Sequence, residues 1–207
     1  MITLYTWGTP NGHKVSIMLE ELGLKYEVKP IDISRGDQMT PEYLALNPNH
    51  KIPVLVDSDG PDGKPITLIE SGAILLYLAG KHGKFLPEDV TGKYEALQWL
   101  MFQMGSVGPM LGQAHHFLRF APTTVPYGVA RYWGETQRIY GVLNTRLKGR
   151  KFLAGNEYTV ADIATWPWIR RHELHQTELE NFPEVKRWFD AIAKRAAVKR
   201  GVAVPKK

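Results

Sequence analysis

Hydrophobic and polar positions in the first third of the chain switch between two periods. Ile2 and Leu4, with the aromatic Tyr5 and Trp7, form a short strand pattern that the turn residues Gly8-Thr9-Pro10-Asn11-Gly12 interrupt. Val15, Met18, Leu19 and Leu22 then stand at i, i+3, i+4 and i+7, one face of a helix running from about Asn11 to Leu22 and stopped by Gly23. Tyr26, Val28, Ile31 and Ile33 make a second strand, and Pro30 within it predicts a place near a sheet edge. A strand, helix, strand unit favours a parallel pair. Thr40-Pro41-Glu42 offers a capping side chain before a proline at the first helical position, and Asn47-Pro48 closes that short helix. Ile52-Pro53-Val54-Leu55-Val56 and Ile66-Thr67-Leu68-Ile69, joined by a loop rich in Asp and Gly, predict an antiparallel hairpin. The segment from Ala73 to Ala79 is apolar nearly all round, the mark of a helix held between other layers. The order is βαβ, α, ββα.

Past Ala79 the pattern changes. Gly80, Gly83, Pro87, Asp89 and Gly92 break the chain, and no alternating strand follows. The expected organisation is a first domain over 1–80, a linker over 81–92 and an all-helical domain over 93–207. Helical patterns span about Lys93 to Met104, Tyr127 to Leu147, Val160 to His172 and Pro183 to Ala196, the last with Val185, Trp188, Phe189 and Ile192 on one face. Thr159-Val160-Ala161-Asp162 reads as a capping box with aspartate in the usual glutamate place, a structural motif, and Pro167 should bend the helix it starts. Trp99, Phe102, Tyr132 and Trp133 are assigned first to the core, with an interface or a ligand pocket as alternatives. There is no internal repeat.

Composition removes several functions. At 43% hydrophobic and 23% charged, the 207 residues describe an ordinary folded protein, with no apolar run near the roughly 20 residues of a spanning helix. No signal-peptide pattern opens the chain, so a cytoplasmic protein that does not enter membranes is expected. Zero cysteines exclude disulfides, thiolate metal sites and a cysteine nucleophile, so any sulfur chemistry must come from a ligand. The net charge of +5 does not imply nucleic acid. Its dense part, Lys194, Arg195, Lys199, Arg200, Lys206 and Lys207, reads as a solvated helix end and tail, with a polyanion contact as the alternative. Adjacent His115 and His116 diverge by about 100° on a helix and do not suit one metal ion, and no metal site is expected.

Candidate chemistry gathers at helix starts. Thr9, Asn11 and Gly12 precede or open a helix that follows a strand, where free N–H groups and a positive dipole end suit an anion such as a thiolate. Glu70-Ser71-Gly72 is a second such place, with Glu70 able to hold an ammonium. The Ile52-Pro53 bond, if cis, would leave the backbone of Ile52 open to a peptide-like ligand. Each has a plainer reading: Asn11 and Ser71 as simple N-caps, Pro53 as a trans loop residue, Glu70 as a surface charge.

Taken together, these residues resemble a cytosolic glutathione transferase along the whole chain. The matching segments are Asn49-His50-Lys51-Ile52-Pro53-Val54-Leu55, Leu68-Ile69-Glu70-Ser71-Gly72-Ala73-Ile74 and Thr159 to Asp162. The resemblance implies α/β plus all-α architecture, a thioredoxin-like βαβ-α-ββα domain followed by a helical bundle. A closer likeness, to the bacterial Nu class, rests on Thr9-Pro10-Asn11-Gly12-His13-Lys14, on Gly108-Pro109-Met110-Leu111-Gly112-Gln113 with His115-His116-Phe117, and on Pro126-Tyr127 with Arg131-Tyr132. It implies that Glu70 and Ser71 bind the γ-glutamyl end of glutathione, that Ile52 pairs with its cysteinyl backbone, and that Lys51 and Gln38 contact its other polar groups. Thr9 and Asn11 would face the sulfur, and Arg131 would reach the neighbouring subunit's site in a homodimer.

Other transferase classes place tyrosine, serine or cysteine at the sulfur. Here the matching position is Thr9, while Tyr5 reads as a strand residue. Hydrogen bonds from Thr9, Asn11 and the helix start would favour a thiolate without a general base. Because the class can hold two glutathiones, or glutathione disulfide, in one site, the expected activity is glutathione-dependent disulfide-bond reduction, with conjugation and peroxide reduction beside it. Conjugation of electrophiles as the main reaction, or a non-catalytic carrier, are the alternatives. Glutathione is expected as a co-substrate, with no tightly bound cofactor.

Overall fold

A computed structural model describes residues 1–206, which divide into two compact units. The first holds Met1–Lys84 together with the chain from Arg195 onward; the second is Phe85–Lys194.

The first unit is built on a four-stranded sheet of β1 (Ile2–Thr6), β2 (Tyr26–Pro30), β3 (Val54–Asp57) and β4 (Ile66–Leu68), in the order β2-β1-β3-β4. β1 and β2 run parallel and β3 is antiparallel to both its neighbours. Pro30 ends β2 at the sheet edge, where its missing N–H costs no ladder bond. Ile2, Leu4 and Thr6 are buried in alternation along β1. Between the strands lie α1 (Pro10–Leu22), α2 (Pro41–Leu46) and α3 (Ser71–His82). Thr40 caps α2 by accepting from the Tyr43 N–H, and Gly23 and Gly83 end α1 and α3 in the left-handed conformation that glycine permits.

α1 is buried far beyond its predicted face, from Gly12 to Leu19 without a break, because two helices flank it. One is α3. The other is α9 (Ala196–Gly201), in a segment that composition had grouped with the helical domain. Ser16 Oγ donates to the Gly201 carbonyl at 2.7 Å, and a Cβ on Gly201 would lie 2.7 Å from Ile17 Cα. The basic cluster here is not simply solvated. Arg195 makes a bidentate pair with Glu21 at 2.5 and 2.8 Å, and Arg200 meets Glu20 at 2.5 Å. Lys207 lies outside the described residues.

In the second unit, α4 (Val90–Phe102) runs through a π-turn at Gln103–Val107 into α5 (Gly108–His115) and a second π-turn at His116–Phe120. α6 (Pro126–Leu147), α7 (Val160–Ile169) and α8 (Pro183–Ala193) complete the bundle. The capping box forms as expected. Thr159 N–H donates to Asp162 Oδ2 at 3.0 Å while Thr159 Oγ1 accepts from Ala161 N–H at 3.3 Å. Asp162 also accepts from Leu153 N–H at 2.9 Å and Trp188 Nε1 at 2.8 Å, so one buried carboxylate ties three segments together. α7 ends two residues beyond Pro167 and does not reach His172. Val185, Trp188 and Ile192 are buried, as their spacing predicts. The four aromatics assigned to the core are not there: Trp99, Phe102 and Tyr132 are half-buried and Trp133 is exposed. Trp99 meets Phe102 edge-on and carries the Arg146 guanidinium over its ring, and Tyr132 stacks on Phe117.

Candidate functional site

Strand register brings the first-unit candidates to one end of the sheet. Tyr5 faces Val54, so the chain beyond each, Trp7 to Thr9 on one side and Ile52 on the other, leaves the sheet together. Leu55 faces Leu68, which sends Glu70 and Ser71 out at the same end. β2, parallel to β1, also finishes there and continues into the segment carrying Gln38. Thr9, Asn11, Gln38, Lys51, Ile52, Glu70 and Ser71 therefore cluster beyond one rim by topology alone.

Thr9 is the N-cap of α1, extended at φ −114°, with its Oγ1 accepting from Gly12 N–H at 3.3 Å. The plainer reading of Asn11 as the cap is thus corrected: Pro10 is the first helical residue and Asn11 the second, half-buried. Gly12 is required. A Cβ there would sit 2.3 Å from the Trp7 carbonyl oxygen and 2.4 Å from Thr6 Oγ1, because the first turn of α1 folds back on the end of β1. Tyr5 is a strand residue whose ring meets Tyr43 edge-on.

The Ile52–Pro53 bond is cis. Ahead of it, the Lys51 carbonyl accepts from Tyr43 Oη and from Asn47 Nδ2, both at 2.7 Å, which fixes the loop. Lys51 itself is exposed, and the Ile52 N–H and C=O make no backbone hydrogen bond among the described residues. Gln38 stands in a 3₁₀ turn, and its buried Oε1 has no hydrogen-bond partner among the described residues.

Glu70 occupies the N-cap position of α3, and Ser71, read above as the cap, is the first helical residue. Glu70 has φ 66° and ψ 110°, makes no side-chain cap bond and is exposed. Positive φ is uncommon for a residue other than glycine, and Glu70 shares it with His50, Asp62, Phe85 and Gln176. Ser71 is buried, and the ammonium of Lys14 donates to its Oγ at 3.2 Å. Lys14 was missed in the sequence. The signal was there: a charged residue four before Met18 lies on the apolar face of α1. Burial holds the Lys14 pKa down to about 7, while the charge of Glu70 acts to raise it.

The remaining candidate belongs to the second unit. Arg131 is exposed on α6 and lines a cavity of about 230 Å³ with Met110, Tyr132 and Glu135. His115 turns onto His175, with ring centroids 4.3 Å apart, and onto Trp168, while His116 is exposed. Burial, and then the charge of Arg171, push His115 down to about 4, so it packs as a neutral ring.

Among the described residues no helix is long and apolar enough to cross a membrane, and no group of three or more His, Asp or Glu could hold a metal. Family models match two stretches: the N-terminal domain of glutathione S-transferase over residues 1–80 and its C-terminal domain over 131–196. The chain is 48% identical to the disulfide-bond oxidoreductase YfcG of Escherichia coli over 95% of its length and 92% of the relative's. Among solved structures it superposes with a TM-score of 0.95 on a Burkholderia graminis glutathione transferase that has two glutathione molecules bound per subunit, at 49% identity and covering 100% of this chain and 89% of that one. A Pseudomonas putida glutathione transferase with one glutathione disulfide bound per subunit gives 0.94 at 44% identity, covering 99% and 91%. The chain belongs to the glutathione S-transferase family.

Proposed function

We propose that this protein is a glutathione-dependent disulfide-bond oxidoreductase. What carries the reading is the gathering of Thr9, Asn11, Ile52, Glu70 and Ser71 beyond one sheet end in a chain without cysteine. Its likeness to a disulfide-bond oxidoreductase, and to transferases binding two glutathiones or their disulfide, supports it.

In this reading Glu70 and Ser71 take the γ-glutamyl end of glutathione, and the open backbone of Ile52 pairs with the cysteinyl peptide. Gln38 and Lys51 meet its other polar groups, and Thr9 and Asn11 face the sulfur. Arg131 contributes to the site of the other subunit in a homodimer. The cytoplasm, where glutathione keeps thiols reduced, is where such an enzyme works.

The bound thiolate attacks one sulfur of a disulfide RSSR. The S–S bond breaks, RS⁻ leaves and takes a proton from water, and GSSR remains. A second glutathione thiolate attacks the glutathionyl sulfur of GSSR, releasing the other RS⁻ and forming glutathione disulfide. Two electrons pass from the two glutathiones to the substrate, and the protein supplies only the placing and stabilising of thiolates. Conjugation and peroxide reduction are side reactions of the same thiolate.

The test is turnover of a small dialkyl disulfide by purified protein with glutathione, followed by formation of glutathione disulfide. A rate well above that of glutathione alone is expected. No acceleration, with glutathione still bound, would replace the enzyme by a carrier.

A further inference from the structure

Lys14 is out of place on any simple account of α1. It is 1% exposed, within the unbroken buried run of that helix, and a lysine is almost never buried unless paired. Its ammonium donates to Ser71 Oγ, at the start of a helix 57 residues further along the chain. An ammonium offers three donors and no acceptor, so in this pair the serine oxygen must accept. The hydrogen of Ser71 then points away from Lys14. Ser71 is also the first residue of α3, whose opening N–H groups have no acceptor within the helix. Glu70 beside it leaves its carboxylate exposed and unused as a cap.

These groups have the polarity of an α-amino acid's head group: donors and a buried cation for a carboxylate, and a carboxylate for an ammonium. We propose that Lys14 is a positioning residue for the α-carboxylate of the bound γ-glutamyl group, fixing Ser71 as a hydrogen-bond donor and placing a positive charge behind it. The inference rests on the glutathione site proposed above and deepens it. Lys14 touches no reacting atom; it acts through Ser71. A bound carboxylate and Glu70 both favour the charged amine, which burial alone disfavours.

The experiment compares two ligands by titration calorimetry: glutathione, and an analogue in which hydrogen replaces the γ-glutamyl α-carboxylate. Lys14→Met keeps the length and packing of the side chain and removes its charge. It should weaken glutathione binding about tenfold to a hundredfold, the range for a hydrogen bond to a charged group. Binding of the analogue should change less than about twofold. Lys14→Arg should recover part of the loss for glutathione only. Equal losses for both ligands, or unchanged glutathione affinity, would overturn the proposal. Should Lys14→Met fail to fold, Ser71→Ala removes the oxygen through which Lys14 acts, and undiminished discrimination between the ligands in that variant overturns it equally. A wild-type protein that binds neither ligand refutes the glutathione reading itself, a result distinct from a variant that binds as wild type does.

Discussion

In the proposed site Thr9 holds two tasks on one hydroxyl, and Thr9→Val separates them from shape. The oxygen accepts from Gly12 N–H and so caps α1, while its hydrogen enters no bond among the described residues and remains to be given to a thiolate. Valine keeps the volume and loses both. Loss of the cap should lower stability by about 1 kcal/mol. Loss of a hydrogen bond to a charged acceptor is worth about 1.5–3 kcal/mol. At about 1.4 kcal/mol per pKa unit, the bound thiol should titrate about one to two units higher in the variant. Below that pKa the thiolate fraction falls tenfold per unit, so the rate near neutral pH should drop about 10- to 100-fold and recover as pH rises. The acid limb of the pH–rate profile therefore moves to higher pH. Ultraviolet absorbance of the thiolate, titrated in the complex, reads the same shift without turnover, and Thr9→Ser should match wild type in both. An unshifted titration in Thr9→Val, or a serine variant as poor as the valine one, would refute a thiolate held by this hydroxyl and leave Thr9 only its cap.

Other outcomes follow from burial and packing. Asp162→Ala would strand Leu153 N–H, Thr159 N–H and Trp188 Nε1 in the interior, a loss of about 3–6 kcal/mol after water relieves part of it, to be read by urea unfolding followed at tryptophan. Burial lifts the Asp162 carboxyl from 3.8 to about 6 against its four donors, so the folded state holds this proton more tightly. Its contribution to stability is present in acid and lost as pH rises from about 4 to about 6, a slope that Asp162→Asn should lack. Gly201→Ala forces a methyl against Ile17 Cα and should cost about 1–3 kcal/mol, lowering the thermal midpoint. Arg131→Ala should weaken glutathione binding without changing that midpoint, and unchanged affinity would remove Arg131 from the site.

Local chemistry was readable where it acts over a few residues. Thr40, Thr159 with Asp162, and the glycine stop at Gly23 depend on bonds within one turn, and all lie where their sequence signals place them. The helix after Met104 was obscured by Gly105, Gly108, Pro109 and Gly112, which look like breakers in isolation. In the fold, Gly108 and Gly112, one turn apart, face Trp168 of α7, which would meet a Cβ at 3.4 and 3.3 Å. Gly112 leaves room for the indole, while at Gly108 the tighter neighbour is Gln103 Nε2, 3.0 Å from a Cβ. The pairs Arg195 with Glu21 and Arg200 with Glu20 join residues at opposite ends of the chain, where no periodicity can connect them.

The same distinction explains why most of the candidate site could be named from sequence and Lys14 could not. Thr9, Ile52, Glu70 and Ser71 announce themselves by turn and helix-start chemistry, and strand register then carries them to one rim. Lys14 carries a weaker mark, since a lysine on a helix is ordinarily solvent-facing, and here it is buried in a helix against which α3 and α9 pack. If the proposed site holds, the clamp of α9 bears on function as well as stability. It packs against the helix whose N-cap is Thr9, whose first turn holds Asn11 and whose second holds Lys14, so that in the proposed site the sulfur and the γ-glutamyl α-carboxylate are met by one helix. A borrowed thiol needs such rigidity more than a protein thiol does, because nothing covalent holds the sulfur in place while it attacks.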